Sequence, residues 1–368
     1  MKKRPDQVLV INISWLAVLC LLALGWLANA CLSKSGEPNR TSLFELGRYL
    51  FYDLRLSSDG TRACATCHNP AFSFTDGYKR SVALGGVLHQ RNSQPLVNLK
   101  WMRYLTAADS TLHHPIQQIN RPLYNLHPSE MGVALREQQI LQTLRSDAHY
   151  RACFTENFGS DTASLNWLNI KKAIVAFVDS INTYNSPYDR WMRGDTNALS
   201  TDEKKGMQLF YSTKLGCQLC HGGVNFATPQ PTVGYYHNIG LYNLDGHGAY
   251  PLYDQGLIAL TNQAADMGKY RIPTLRQLAF TAPYFHDGSV ATLTQALEIF
   301  WQGGSLNAPA TGLGNGIVNQ FKNQHIQKID ITAGEKMQVL KFLLALSDSS
   351  LLNAPRYSNP FTVADTKK

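Results

Sequence analysis

Two short runs carry the residue types best suited to chemistry, "CATCH" at 64–68 and "CQLCH" at 217–221. Each has two thiols separated by two residues, with a histidine immediately after. Such a pair can add to both vinyl groups of one haem, and the histidine then sits where it can ligate the iron. A zinc ribbon would need both cysteine pairs to close on one ion, yet the runs lie far apart and each carries its own histidine. A thioredoxin-like redox pair belongs in a strand–helix–strand setting, and no such pattern surrounds either run. The spacing therefore predicts two covalent haem c groups, one on Cys64, Cys67 and His68, the other on Cys217, Cys220 and His221. Of the remaining cysteines, Cys20 and Cys31 lie in and at the end of an apolar N-terminal run, and Cys153 reads as a small buried apolar residue. An iron with an open sixth position binds small oxidants, whereas one with two protein ligands mainly moves electrons. Two haems in one chain imply a division of labour, set by side chains that motif spacing does not name.

Two flat groups need two helical cages. Ser42 and Glu45 form a capping box, and Leu43, Leu46 and Leu50 follow at helical spacing. Residues 165–183 place Leu165, Leu168, Ile174, Phe177, Val178 and Ile181 on one helical face, and Pro187 and Gly194 then break the pattern. Ser200 and Glu203 open a helix through Leu209 and Phe210 that leads into the second cysteine run. Thr292 with Gln295, and Thr332 with Glu335, cap two more, the last carrying Met337, Leu340, Leu343 and Leu344. Strand signals are few. The expected architecture is all-α, with cytochrome c-like domains over 41–195 and 196–352 and a flexible tail over 353–368.

Residues 1–31 read as an export segment. "MKKRPDQ" is a basic head, and residues 8–30 form an apolar run broken only by Asn12, Ser14 and Asn29. Its length is near the roughly 20 residues that span a bilayer, and positive charge before it directs the downstream chain outward. An uncleaved anchor, a signal peptide cut after Ala28-Asn29-Ala30, and a lipoprotein acylated on Cys31 are the three readings. All place the remainder in the periplasm, tethered to the membrane or released. The composition, 44% hydrophobic and 16% charged, suits a globular protein. The net charge of +8 includes Lys2, Lys3 and Arg4, and no Lys/Arg stripe with interleaved aromatics marks a nucleic-acid surface.

The stretches "LGRYLFYDLRLSSDGTRACATCHNPAFSFTDG", "QPLVNL", "HPSEMG" and "SPYDRWMRGD" resemble the bacterial dihaem cytochrome c peroxidase family, which includes the MauG-type oxidases. "HNIGLYNLDGHGAYP" and "DMGKYRIPTLRQLAFTAPYFHDGSVATL" look most similar to its MbnH-like branch, found beside copper-handling proteins and implicated in oxidising a partner's tryptophan. The resemblance implies that peroxide binds at the haem of His68, beneath Glu130 of "HPSEMG", with Pro122 close by. A carboxylate there can carry a proton from the near peroxide oxygen to the far one. It also implies a calcium ion between the haems, on Asn92 and on the carbonyls of Thr281 and Pro283, all hard oxygen donors.

This sequence departs from the family pattern in two places. Phe300 stands where the family has Tyr or Met as distal ligand of the second haem, and a phenyl ring has no lone pair for iron. That haem is then five-coordinate or takes another ligand, with Met267, His237 and His286 as candidates. Ala107 or Ala108 takes the place of the tryptophan thought to relay electrons, and nearby Trp101 reads as a core aromatic. His113, His114 and His127 fall near the expected peroxide pocket, as solvated loop residues or as a resting-state cap on the first haem. The expected function is a peroxidase that reduces hydrogen peroxide with electrons from a small c-type cytochrome or cupredoxin. The alternatives are a MauG- or MbnH-like oxidase acting on a partner protein, and a non-enzymatic dihaem electron carrier or sensor.

Overall fold

A computed structural model describes residues 41–159, 162–306 and 314–361. The export segment, with Cys20 and Cys31, lies outside them. The regular structure of the described residues is almost wholly helical, joined by long loops, and none of their helices is long and apolar enough to cross a membrane. Strand among them is confined to one antiparallel pair, β1 (Tyr236–His237) against β2 (Tyr270–Arg271).

Two helix crossings organise the molecule. Helix α1 (Leu43–Tyr52) packs on α2 (Trp167–Asp179), and α3 (Thr201–Phe210) packs on the C-terminal helix that follows α4 (Leu293–Gln302), namely α5 (Ala333–Leu344). Each crossing is made close by one glycine. A Cβ on Gly47 would run into the Ala173 carbonyl, and a Cβ on Gly206 into the Gln338 carbonyl. These contacts also decide which face turns inward. On α2, Ile170, Ala173, Ile174 and Phe177 are buried while Leu168 faces solvent; on α5, Val339, Phe342 and Leu343 are buried while Met337 and Leu344 are exposed. The apolar faces expected through Leu168, Met337 and Leu344 are corrected accordingly: backbone contact at the glycines outweighs the hydrophobicity of single side chains.

The caps follow the sequence closely. Ser200–Glu203, Thr292–Gln295 and Thr332–Glu335 form reciprocal capping boxes. Ser42 caps α1 through the Glu45 amide (3.2 Å), but the Glu45 carboxylate turns to Arg48 instead (2.7 Å).

The first core gathers Leu46, Leu50, Phe51, Phe74 and Phe177 with residues up to Ile181; the second gathers Phe210, Phe226, Trp301 and Phe342. The short helix Pro187–Met192 belongs with the second core. Tyr188 packs there, and Asp189 takes two 2.9 Å hydrogen bonds from the buried Arg276 guanidinium. The expected 41–195 segment therefore ends on a helix held by the other half. Residues 353–361 are not a loose tail. Leu351 and Tyr357 complete the first core, where Tyr52 Oη donates to Tyr357 O and Tyr357 Oη to Ser180 O, both at 2.5 Å. One well-placed aromatic anchors a segment whose composition reads as loop; residues 362–368 lie outside the described residues.

Candidate active site

Both cysteine runs form a tight turn followed by a loop that swings a carbonyl back to the histidine. His68 Nδ1–H donates to Phe74 O (2.9 Å), and His221 Nδ1–H donates to Phe226 O (2.8 Å). To present these carbonyls, Phe74 (φ 62°) and Phe226 (φ 51°) adopt the left-handed conformation, unusual for a bulky residue. Their buried rings hold them there. The loops close alike, through Asn69 N–H to Thr75 O (2.9 Å) and Gly222 N–H to Thr228 O (3.0 Å). With Nδ1–H committed to a carbonyl, each ring keeps Nε2 as its free lone pair, the arrangement of a metal-ligating histidine. Burial lowers the pKa of both, that of His221 to about 4, so both imidazoles are neutral, as ligation requires.

The thiols sit in equally apolar surroundings. Burial pushes Cys64 and Cys217 up to about 12 and Cys67 and Cys220 up to about 11. None of the four is in a disulfide. A zinc site needs thiolates, and these environments oppose them, whereas a thioether to haem carries no charge. Cys153, 1% exposed in the helix Ala148–Phe158, is the buried apolar residue expected.

Above Cys217, Cys220 and His221 opens a cavity of about 320 Å³, walled largely by apolar side chains. Arg271 lies on its wall with a buried Nε that has no hydrogen-bond partner among the described residues. Its other nitrogens donate to Ile272 O (2.9 Å) and Gln94 Oε1 (2.5 Å), and no carboxylate pairs with it among the described residues. Burial pulls it down to about 10. A buried guanidinium without an anion is costly, and haem brings two propionates. The cavity, the free histidine nitrogen and this cation together fit a haem.

Phe300 lines the same cavity, so no oxygen or sulfur donor comes from that position. Of the three alternatives, Met267 is not among its lining side chains and packs against the cluster of Leu241, Tyr242 and Tyr250. His237 lines it with both nitrogens engaged, Nε2 to Gly234 O (3.1 Å) and Nδ1 to Asn323 Nδ2 (2.6 Å). His286 also lines it, stacked on Tyr270 at 3.6 Å, and burial lowers it to about 4. Asn92, Thr281 and Pro283 border the cavity too, and Asn92 Nδ2 donates to Tyr78 O (2.7 Å). Ala107 is on this wall and accepts the Arg271 N–H. Trp101 is 55% exposed, under Lys100, and so is not a core residue: it ends a short turn (Leu99–Trp101) at the surface.

In the first half Glu130 sits on a turn whose next residue, Met131, donates its N–H to Pro122 O (3.0 Å), which brings the expected pair together. The Glu130 charge is felt at Cys64, Cys67 and His68. His113 is tied to Arg103 O (3.2 Å), and His114 and His127 are exposed. The histidine that does meet Glu130 is His89, at 3.3 Å. It lies in a glycine-rich loop with no periodic signal, which is why spacing overlooks it. Arg271, too, is invisible as a site residue until β2 is paired.

Residues 41–197 match the family described as di-haem cytochrome c peroxidase. Cytochrome-c peroxidase IdrP2 of Denitromonas iodatirespirans is 30% identical over 347 residues, 87% of this chain and 84% of that one. The chain belongs to the di-haem cytochrome c peroxidase and MauG family. It is an oxidoreductase of the cytochrome-c peroxidase type. Methylamine utilization protein MauG of Methylorubrum extorquens is 32% identical over 70% of this chain and 68% of its own. The crystal structure of a MauG-like protein associated with microbial copper homeostasis superposes with a TM-score of 0.83 at 37% identity, covering 90% of this chain and 99% of that one. Membership of this family implies haem c as cofactor.

Proposed function

We propose that this protein reduces hydrogen peroxide in its first half, with electrons delivered through its second half by a small periplasmic redox protein, a c-type cytochrome or a cupredoxin. The observation that carries this reading is Glu130, a carboxylate close enough to act electrostatically on His68 and both of its cysteines, on a turn fixed to Pro122. The haem, once bound, supplies electron exchange with the oxidant. The chain's own residues do the rest: His68 offers a neutral Nε2, and Glu130 takes the proton from one peroxide oxygen and returns it to the other, so that O–O cleavage with two electrons and two protons gives two waters. Asn92, Thr281 and Pro283 hold calcium between the halves, and residues 1–31 export the protein and tether it or are removed. With a reduced small cytochrome c as donor, Glu130→Gln should slow peroxide consumption by about 10²–10⁴-fold. Equal rates in both proteins would remove Glu130 from the mechanism.

The likeness to a MauG-like protein of copper homeostasis favours a second reading, in which the same peroxide step oxidises a side chain on a partner protein. A mass change in a co-expressed partner that requires peroxide and Glu130 would select it over small-donor turnover.

A further inference from the structure

Residues 81–91 fold back on themselves as a hairpin: Ala83 N–H bonds Val87 O (2.7 Å), His89 N–H bonds Ser81 O (2.7 Å), and Ser81 N–H bonds Arg91 O (3.3 Å). The hairpin lies on the turn that carries Glu130, where Leu84 N–H reaches Ser129 O (2.9 Å). Its base is anchored in the other half of the chain. Arg91 makes two 2.7 Å bonds to the buried Asp254, and Asn92 N–H bonds His286 O (2.8 Å). His89 is therefore held from both ends. Its Nδ1 accepts the Arg91 N–H (3.2 Å), which leaves the ring proton on Nε2, 3.3 Å from Glu130 Oε1. That nitrogen faces the carboxylate at ion-pair distance. The same contact argues against proton conduction through the ring, because Nδ1 is not open to receive a proton from solvent.

We infer that His89 is the positioning residue of the peroxide step: it orients the Glu130 carboxylate that accepts the first proton from peroxide. This rests on the proposed role of Glu130 and adds a requirement to it. A glutamate has several side-chain rotamers, and proton transfer needs one of them. A ring nitrogen fixed on a clamped hairpin beside the carboxylate selects that rotamer. The overall balance is unchanged: the O–O bond breaks, two electrons come from the redox-protein donor, and two protons come from water. His89 touches none of the reacting atoms and acts through Glu130 alone.

The test uses the full protein with both haems loaded, checked by absorbance, and four variants: His89→Ala, His89→Gln, Glu130→Gln and the double variant His89→Ala/Glu130→Gln. The readout is the second-order rate with one equivalent of peroxide by stopped flow, with oxidation by the second half of a reduced small cytochrome followed separately. His89→Ala should lose about tenfold in the peroxide rate and leave donor oxidation unchanged in single turnover. His89→Gln, whose amide can still donate to the carboxylate, should recover most of the loss. The double variant should be no slower than Glu130→Gln, because His89 has nothing left to act upon. A wild-type rate in His89→Ala, with Glu130→Gln slow, would overturn this inference and spare the role of Glu130. Additive losses in the double variant, or no recovery with Gln, would also overturn it. Glu130→Gln reacting like wild type would instead remove the reading on which it stands.

Discussion

In the first half, Gly47 lets α1 meet α2 at Ala173, and Phe51, Phe74 and Phe177 pack together beside His68. In the second, Gly206 meets Gln338, and Phe210, Phe226 and Phe342 take the same places beside His221. Ring separations agree closely, 6.1 Å for Phe51–Phe74 against 5.8 Å for Phe210–Phe226, and 4.9 Å for Phe51–Phe177 against 5.4 Å for Phe210–Phe342. The likeness ends away from these clusters. One half presents Glu130 with a hydrogen-bond donor beside it, and the other presents Phe300 in an apolar cavity. The support behind the histidine is a fixed requirement of holding haem. The groups opposite it decide what the haem does, and loops carry them.

The comparison can be broken at points where the halves differ. Arg276 and Asp189 have no counterpart among the described residues of the first half. Arg276→Met would leave the Asp189 carboxylate, 8% exposed, without its cation. The expected cost is about 3–5 kcal/mol, read from denaturant unfolding, and the absorption of the second haem should change before that of the first. If both respond together, the halves are one cooperative unit.

Gly47→Ala and Gly206→Ala test the likeness directly. Each new methyl opens a helix crossing, so each should cost about 1–3 kcal/mol, and the two costs should match. A large disparity would mean that the crossings share geometry but not energetics.

Acid sensitivity isolates the clamp between the hairpin and the second half. Burial alone would raise the Asp254 carboxyl, but the hydrogen bonds and charge of Arg91 outweigh it and hold the group below the usual carboxylate range. Its folded value lies below its unfolded one, so this stabilisation is complete above about pH 4 and drains away as pH falls through the folded value. Arg91→Ala should therefore flatten the acid limb of a stability-against-pH curve and lower the plateau near neutrality.

Phe300→Met should perturb least in stability, by less than about 1.5 kcal/mol, yet it gives the second pocket a thioether. Low-temperature EPR should then show growth of a low-spin haem signal. An unchanged spectrum would mean that position 300 does not face the iron.

Much of this was legible in the residues. The Cys-x-x-Cys-His turns and the capping pairs announce themselves, because each is a short local pattern whose chemistry depends on spacing, whereas Glu130 stands out only through the family resemblance. What escaped depends on contacts distant in sequence. His89 gains meaning only when the hairpin reaches the Glu130 turn, and Arg271 only when its buried nitrogen is seen without an anion. Leu168, Met337 and Leu344 misled because a glycine on the neighbouring helix, pressed against a carbonyl of α2 or α5, and not local hydrophobicity, sets the faces of α2 and α5.

The return of Leu351 and Tyr357 to the first core has a temporal consequence. A chain made from its N-terminus has the first cysteine run in hand long before the residues that finish its cage. Until then the rings of Phe44 and Phe74 lack Tyr357, and the Tyr52 hydroxyl lacks its acceptor. Contacts of such long range form late and slowly. The nascent first half is thus a core still open on one side until residues 351–357 arrive.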